Sequence, residues 1–156
     1  MEEKTNVMRL LDKKKIEYKS HYYGDTDAVS GVEVANVLEE DPACVFKTLV
    51  TVGKTKKNYV FVIPVAEELD LKKAAKAVGE KSIEMIKSKE LLPLTGYIHG
   101  GCSPIGMKKF FTTTIDESVS NCSTFCISAG KIGYQIEISL SELSKVIRFE
   151  LASLTV

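Results

Sequence analysis

The sequence predicts a mixed α+β fold in one domain. Runs of β-branched and aromatic residues recur over residues 46–52, 59–63 and 134–138, each bounded by turn residues. Helical segments fall between such runs at irregular intervals, which points to a mixed sheet and not a regular βαβ alternation. No linker, repeat or shift of composition divides the 156 residues, a length suited to one continuous core.

The elements follow in order. Thr5 caps a first helix with Val7, Leu10 and Leu11 on one face, ending near Lys15. A short strand is predicted over 17–23. Ser30 and Glu33 form a capping box ahead of Val34, Ala35, Val37 and Leu38, and Asp41-Pro42 stops that helix. Residues 46–52 and 59–63 read as a hairpin joined by the polar turn 53–58. Asp70 caps a helix over 71–78 that Gly79 ends, with Leu71, Ala74, Ala75 and Val78 inward. A strand over 82–85 and a helix over 88–92 lead to Pro93. Strands over 110–115, 124–128 and 134–138 follow, the last two flanking the glycine-bearing turn 129–133. Ser139 and Glu142 make a second capping box, opening a helix with Leu140, Leu143, Val146 and Ile147 inward.

Bulk properties narrow the function. Lys plus Arg and Asp plus Glu both number 21, so the formal charge is zero. A protein that grips nucleic acid alone carries a basic surplus, because phosphate neutralisation dominates its affinity. The balance argues against a stand-alone nucleic-acid binder, DNA included. No apolar run approaches the roughly 20 residues that span a bilayer. The N-terminal segment opens acidic and has no secretory h-region, so a cytosolic protein is expected. Cys44, Cys102, Cys122 and Cys126 then read as free thiols. Cys122 and Cys126 have no second Cys/His pair at zinc spacing, and His21 and His99 are the only histidines, so neither a metal nor a cofactor is expected.

Two places carry chemistry. Lys47 lies in a strand apolar on both faces, where a lysine either reaches solvent at an edge or points into a polar cleft. In a cleft its cation can hold a carbonyl or phosphate oxygen. The loop 96–106, Gly-Tyr-Ile-His-Gly-Gly-Cys-Ser-Pro-Ile-Gly, has more glycine than a turn requires. Adjacent glycines let successive N–H groups converge on an oxyanion; a structural loop is the alternative. The P-loop spacing is absent, and nothing around Ser103, Ser128, His21 or His99 resembles a nucleophile elbow. Lys72, Lys73 and Lys76 form a solvated helix face or a phosphate-contacting patch.

Taken together and in this order, the segments 46–50, 69–79, 95–106 with Lys108-Lys109, and 128–133 resemble the YbaK/EbsC family. These are bacterial Cys-tRNA(Pro) deacylases related to the editing domain of prolyl-tRNA synthetase. The likeness runs from about residue 10 to 149. It implies a mixed central sheet, partly barrel-like and wrapped by helices, with the tRNA acceptor end held in a pocket and prolyl-tRNA synthetase as partner. Carried over by position, Lys47 is the essential lysine, with Thr48 beside it. Gly100, Gly101, Ser103 and Pro104 hold the aminoacyl carbonyl, Ser128 and Gly130 form a second wall, and Tyr23 comes from the N-terminal strand. Ser30 stands where an aromatic is expected and Gln135 where an acid is expected; both count as substrate-binding, and both bear on substrate choice. Cys102, Ala129 and Ile132 also depart from the pattern. The implied chemistry uses no side-chain nucleophile: the substrate thiol attacks its own ester carbonyl. Ala-tRNA(Pro) as substrate, or a non-catalytic tRNA- or nucleotide-binding module, are the alternatives.

Overall fold

A computed structural model describes residues 3–156. Helix α1 (Asn6–Lys13) starts where Thr5 Oγ1 accepts from Met8 N–H, and it buries Val7, Met8 and Leu11. Strand β1 (Lys19–Tyr22) follows. Both halves of the Ser30/Glu33 capping box form at the head of α2 (Gly31–Val37). A 3₁₀ turn over Pro42–Cys44 leads into β2 (Phe46–Gly53), which turns back as β3 (Asn58–Pro64).

Helix α3 (Leu71–Val78) has the expected Asp70 cap, and Gly79 closes it at φ 75°. After β4 (Ile83–Met85), α4 (Ser88–Thr95) runs past Pro93 instead of stopping before it, and Gly96 provides the end. The second half holds β5 (Thr112–Asp116), β6 (Phe125–Ser128), β7 (Tyr134–Ile138), α5 (Leu140–Leu143) and β8 (Glu150–Ala152). Phe110, expected in a strand, is 62% exposed and lies outside β5.

The mixed α/β class is observed, with the strands in two sheets that do not close into a barrel. The five-stranded sheet has the order β4-β2-β3-β5-β8, antiparallel on the β2 side and parallel from β3 to β8. The three-stranded sheet has the order β1-β7-β6 and is antiparallel throughout.

Strand β3 is buried on both faces, as its unbroken apolar run demands. Val60 and Val62 look toward the main core, where Phe46 of β2 meets Phe125 of β6 edge-on at 5.5 Å and α1 packs. Tyr59, Phe61 and Ile63 look the other way, onto Ala74 and Ala75 of α3.

Cys44 and Cys122 are joined in a disulfide across 78 residues, so the expectation of four free thiols is corrected to two, Cys102 and Cys126. A pairing this distant leaves no mark in local spacing.

Candidate active site

A cavity of about 590 Å³ opens where the two sheets part. Strand β4 pairs only with Thr51–Gly53 of β2, so the segment 47–50, held by β3 on one side, has no strand on the other and forms one wall. The head of α2 forms a second wall through Ser30, Gly31, Val32 and Val34. A third comes from Met85, Ile86 and Leu91 near α4, and His99, Gly100 and Cys102 of the glycine loop close a fourth. The polar face of the three-stranded sheet contributes Ser128 and Gln135, and Tyr23 joins them from the residue after β1.

Of the residues singled out from sequence, Tyr23, Ser30, Lys47, Thr48, Gly100, Ser128 and Gln135 line this one cavity. The remaining four are not in the lining. Gly101, Ser103 and Pro104 are buried behind it, and Gly130 sits in the β6–β7 turn.

Lys47 is half-buried and donates from Nζ to the Val65 carbonyl at 3.4 Å, a long contact that leaves its other protons available. Among the described residues no carboxylate lies within ion-pair distance of it. Two buried polar atoms of lining residues, Thr48 Oγ1 and Gln135 Oε1, have no hydrogen-bond partner among the described residues. Buried orphans are rare and call for an explanation, and a ligand is the natural one in a cavity wall. Ser30 is committed differently: its Oγ accepts from Glu33 N–H at 3.2 Å as the helix cap.

The glycine loop is held by its own bonds. Gly101 N–H donates to Ile98 O at 3.0 Å, Ile105 N–H donates to Ser103 Oγ at 3.2 Å, and the Tyr97 hydroxyl donates to Ile105 O. Gly100 takes φ 87°, a backbone region that disfavours any side chain. Among the described residues no acceptor takes the N–H of Gly100 or Cys102.

Ser128 Oγ accepts from Gly130 N–H at 3.1 Å, which tightens the start of the β6–β7 turn. Burial pushes the Cys102 thiol up to about 12, and burial followed by the neighbouring Cys102 pushes Tyr97 up to about 12. Cys102 thus stays a neutral thiol at physiological pH, which is no nucleophile.

Sequence reasoning missed the apolar lining, among it Val29, Val45, Val65 and Met85. These residues are indistinguishable from core positions by periodicity, and only the open edge of β2 turns them into walls.

The model of the aminoacyl-tRNA editing domain family matches residues 26–146. The chain belongs to this family. An Enterococcus faecalis (strain ATCC 700802 / V583) protein named "Putative Cys-tRNA(Pro)/Cys-tRNA(Cys) deacylase EbsC" is 44% identical over 155 residues, covering 99% of this chain and 94% of that protein. Two solved structures share the fold. The crystal structure of the hypothetical protein APE2540 superposes with a TM-score of 0.86 at 19% identity, covering 96% of this chain and 99% of the other. That of "a putative trans-editing enzyme for prolyl tRNA synthetase" does so with a TM-score of 0.83 at 22% identity, covering 96% and 94%. The YbaK/EbsC resemblance drawn from four short motifs is therefore carried by nearly the whole chain. Among the described residues no helix is long and apolar enough to cross a membrane.

Proposed function

We propose that this editing domain removes cysteine mischarged onto tRNA(Pro), acting in trans. One observation carries the reading: Lys47, Gly100, Cys102, Thr48 and Gln135 line one cavity, and among the described residues the N–H groups of Gly100 and Cys102 and the buried oxygens Thr48 Oγ1 and Gln135 Oε1 have no partner. Its volume falls in the range that encloses small ligands. The aminoacyl carbonyl sits between the Lys47 ammonium and the loop, where both act on the developing oxyanion. Gly101 N–H is already bonded to Ile98 O, so the donating N–H groups belong to its neighbours.

The nucleophile is the substrate's own thiol. It attacks the ester carbonyl, a C–S bond forms as the C–O bond to the terminal ribose breaks, and the thiol proton ends on the ribose oxygen. The product is cysteine thiolactone. Attack within one molecule has a high effective concentration, so the protein's task is to fix geometry and stabilise charge. The unreactive state of Cys102 supports this division of labour, because the cavity supplies no ionised thiol of its own.

The zero net charge fits a complex in which prolyl-tRNA synthetase supplies the phosphate contacts, an arrangement suited to a cytoplasmic protein. The test is a deacylation assay on tRNA(Pro) charged with cysteine, alanine or proline, with thiolactone followed by mass spectrometry. Turnover of the cysteinyl ester alone is expected. Equal turnover of the alanyl ester overturns thiol attack, and tRNA binding without turnover of any ester overturns catalysis.

A further inference from the structure

The polar face of the three-stranded sheet continues beyond the cavity to a second group of side chains. His21 of β1 stands opposite Gln135, and Cys126 of β6 stands opposite Glu137 of β7. His21 Nε2, Cys126 Sγ and a Glu137 carboxylate oxygen all lie within 4.8 Å of one another.

Glu40 joins them from the end of α2. Glu39 turns the chain through φ 56°, Glu40 N–H donates to Ala35 O at 2.8 Å, and the Glu40 carboxylate is directed onto the sheet. Its Oε2 lies 3.4 Å from Cys126 Sγ and 3.8 Å from His21 Nε2. Its Oε1 is buried with no hydrogen-bond partner among the described residues. Glu137 Oε1 is 2.8 Å from His21 Nε2, while its other oxygen accepts from Thr124, which fixes the carboxylate's orientation. An imidazole, a thiol and the Glu137 carboxylate thus converge at the sheet surface, with Glu40 beside the imidazole and the thiol, and among the described residues no lysine or arginine lies within ion-pair distance of either carboxylate, though Lys19 stands opposite Glu137 in the sheet.

We propose that His21, Glu40, Cys126 and Glu137 bind a divalent transition-metal ion, zinc by ligand type, which clamps the end of α2 onto the three-stranded sheet. One sulfur, one nitrogen and two carboxylate oxygens suit a borderline-soft tetrahedral ion; calcium and magnesium take oxygen alone. Zinc bonds of about 2.0–2.3 Å set ligand atoms about 3.3–3.8 Å apart; Glu40 already stands at such distances from Cys126 and His21, and the ion must part His21 from Glu137, now hydrogen-bonded at 2.8 Å. Cys126 is buried, whereas His21 and Glu137 are partly exposed and give the ion a way in. The site is separate from the reaction cavity, but Gln135 borders both: it lines the cavity, and its side chain lies beside Glu40. The clamp therefore acts as a brace for the α2 wall.

Titration of the full chain with Co²⁺ tests this. One equivalent is expected to bind, with a thiolate-to-cobalt absorption band in the near ultraviolet that Zn²⁺ displaces. Cys126→Ser should abolish the band, and His21→Gln and Glu137→Gln should each weaken binding at least about tenfold. Those two sites are partly exposed, so the test survives if Cys126→Ser fails to fold. Glu40→Gln should weaken binding similarly and remove the metal-dependent rise in Tm. His99→Gln and the double variant Cys44→Ser/Cys122→Ser should keep both band and affinity. No stoichiometric binding, or binding indifferent to His21 and Cys126, overturns the site; affinity indifferent to Glu40 overturns the clamp.

Discussion

Gly101 lies against the backbone of Ile132, so close that a Cβ built on Gly101 would stand 3.1 Å from the Ile132 nitrogen. The glycine loop and the β6–β7 turn are thus pressed together backbone to backbone, and this contact sets the spacing of two cavity walls. Gly101→Ala must push them apart. A loss of about 1–3 kcal/mol in denaturant unfolding is expected, together with a larger proportional loss in kcat/KM. Unchanged turnover would show that the spacing does not matter.

Lys47 makes a single long bond to Val65 O and carries no ion pair among the described residues, so the fold does not depend on it. Lys47→Ala should leave Tm within a degree or two. Deacylation should fall by about 10²–10³, the range for loss of an oxyanion-stabilising donor. A variant that turns over normally would remove the lysine from the mechanism.

Thr48→Val separates stability from activity. It deletes a buried hydroxyl that has no partner in the free protein, so stability should rise by about 1 kcal/mol. If the hydroxyl bonds substrate, kcat/KM falls in the same variant. A parallel fall in both quantities would show that Thr48 has a structural partner instead.

Alkaline pH should destabilise the protein. Cys102 is raised from an ordinary 9.0 to about 12 and Tyr97 from 10.0 to about 12, so above pH 9 the folded chain holds protons that the unfolded chain has released. The slope of unfolding free energy with pH is therefore negative, and the loss begins near pH 9 and continues toward pH 12. Cys102 and Tyr97 together should account for about 4 kcal/mol lost by pH 11, and Cys102→Ala should flatten the fall. The same protonation predicts that Cys102 resists iodoacetamide at pH 7.5 until the chain unfolds.

Reduction of the Cys44–Cys122 bond should cost up to about 4 kcal/mol in the chain-entropy account, given the 78-residue separation. Urea unfolding with and without reductant measures it. Equal midpoints would mean that the reduced chain is already held at those positions by packing.

What could be read from the sequence was chiefly local chemistry. Ser30 with Glu33, Asp70 with Gly79, and Ser139 with Glu142 announce helix ends because a cap and its partner lie within a turn of each other. Lys47 and Gly100 stood out because a charge in an apolar strand and paired glycines in a loop both break a local rule. Long-range partners left no such trace. Nothing near Cys44 indicates Cys122, and nothing near His21 indicates Glu137; the first pair joins two distant 3₁₀ turns and the second two distant strands. Pro93 misled for a related reason: it reads as a helix stop, yet α4 continues past it to Gly96.

Strand β1 pairs with β7, Lys19 against Glu137 and Tyr22 against Tyr134, so β1 finds its neighbour only after all the intervening strands have been made. At roughly 5–20 residues per second the ribosome delivers that neighbour on the order of ten seconds later. Until then Tyr23 has no sheet behind it, and the inner wall contributed by Ser128 and Gln135 does not exist. A nascent chain therefore lacks the complete cavity until β7 has left the exit tunnel.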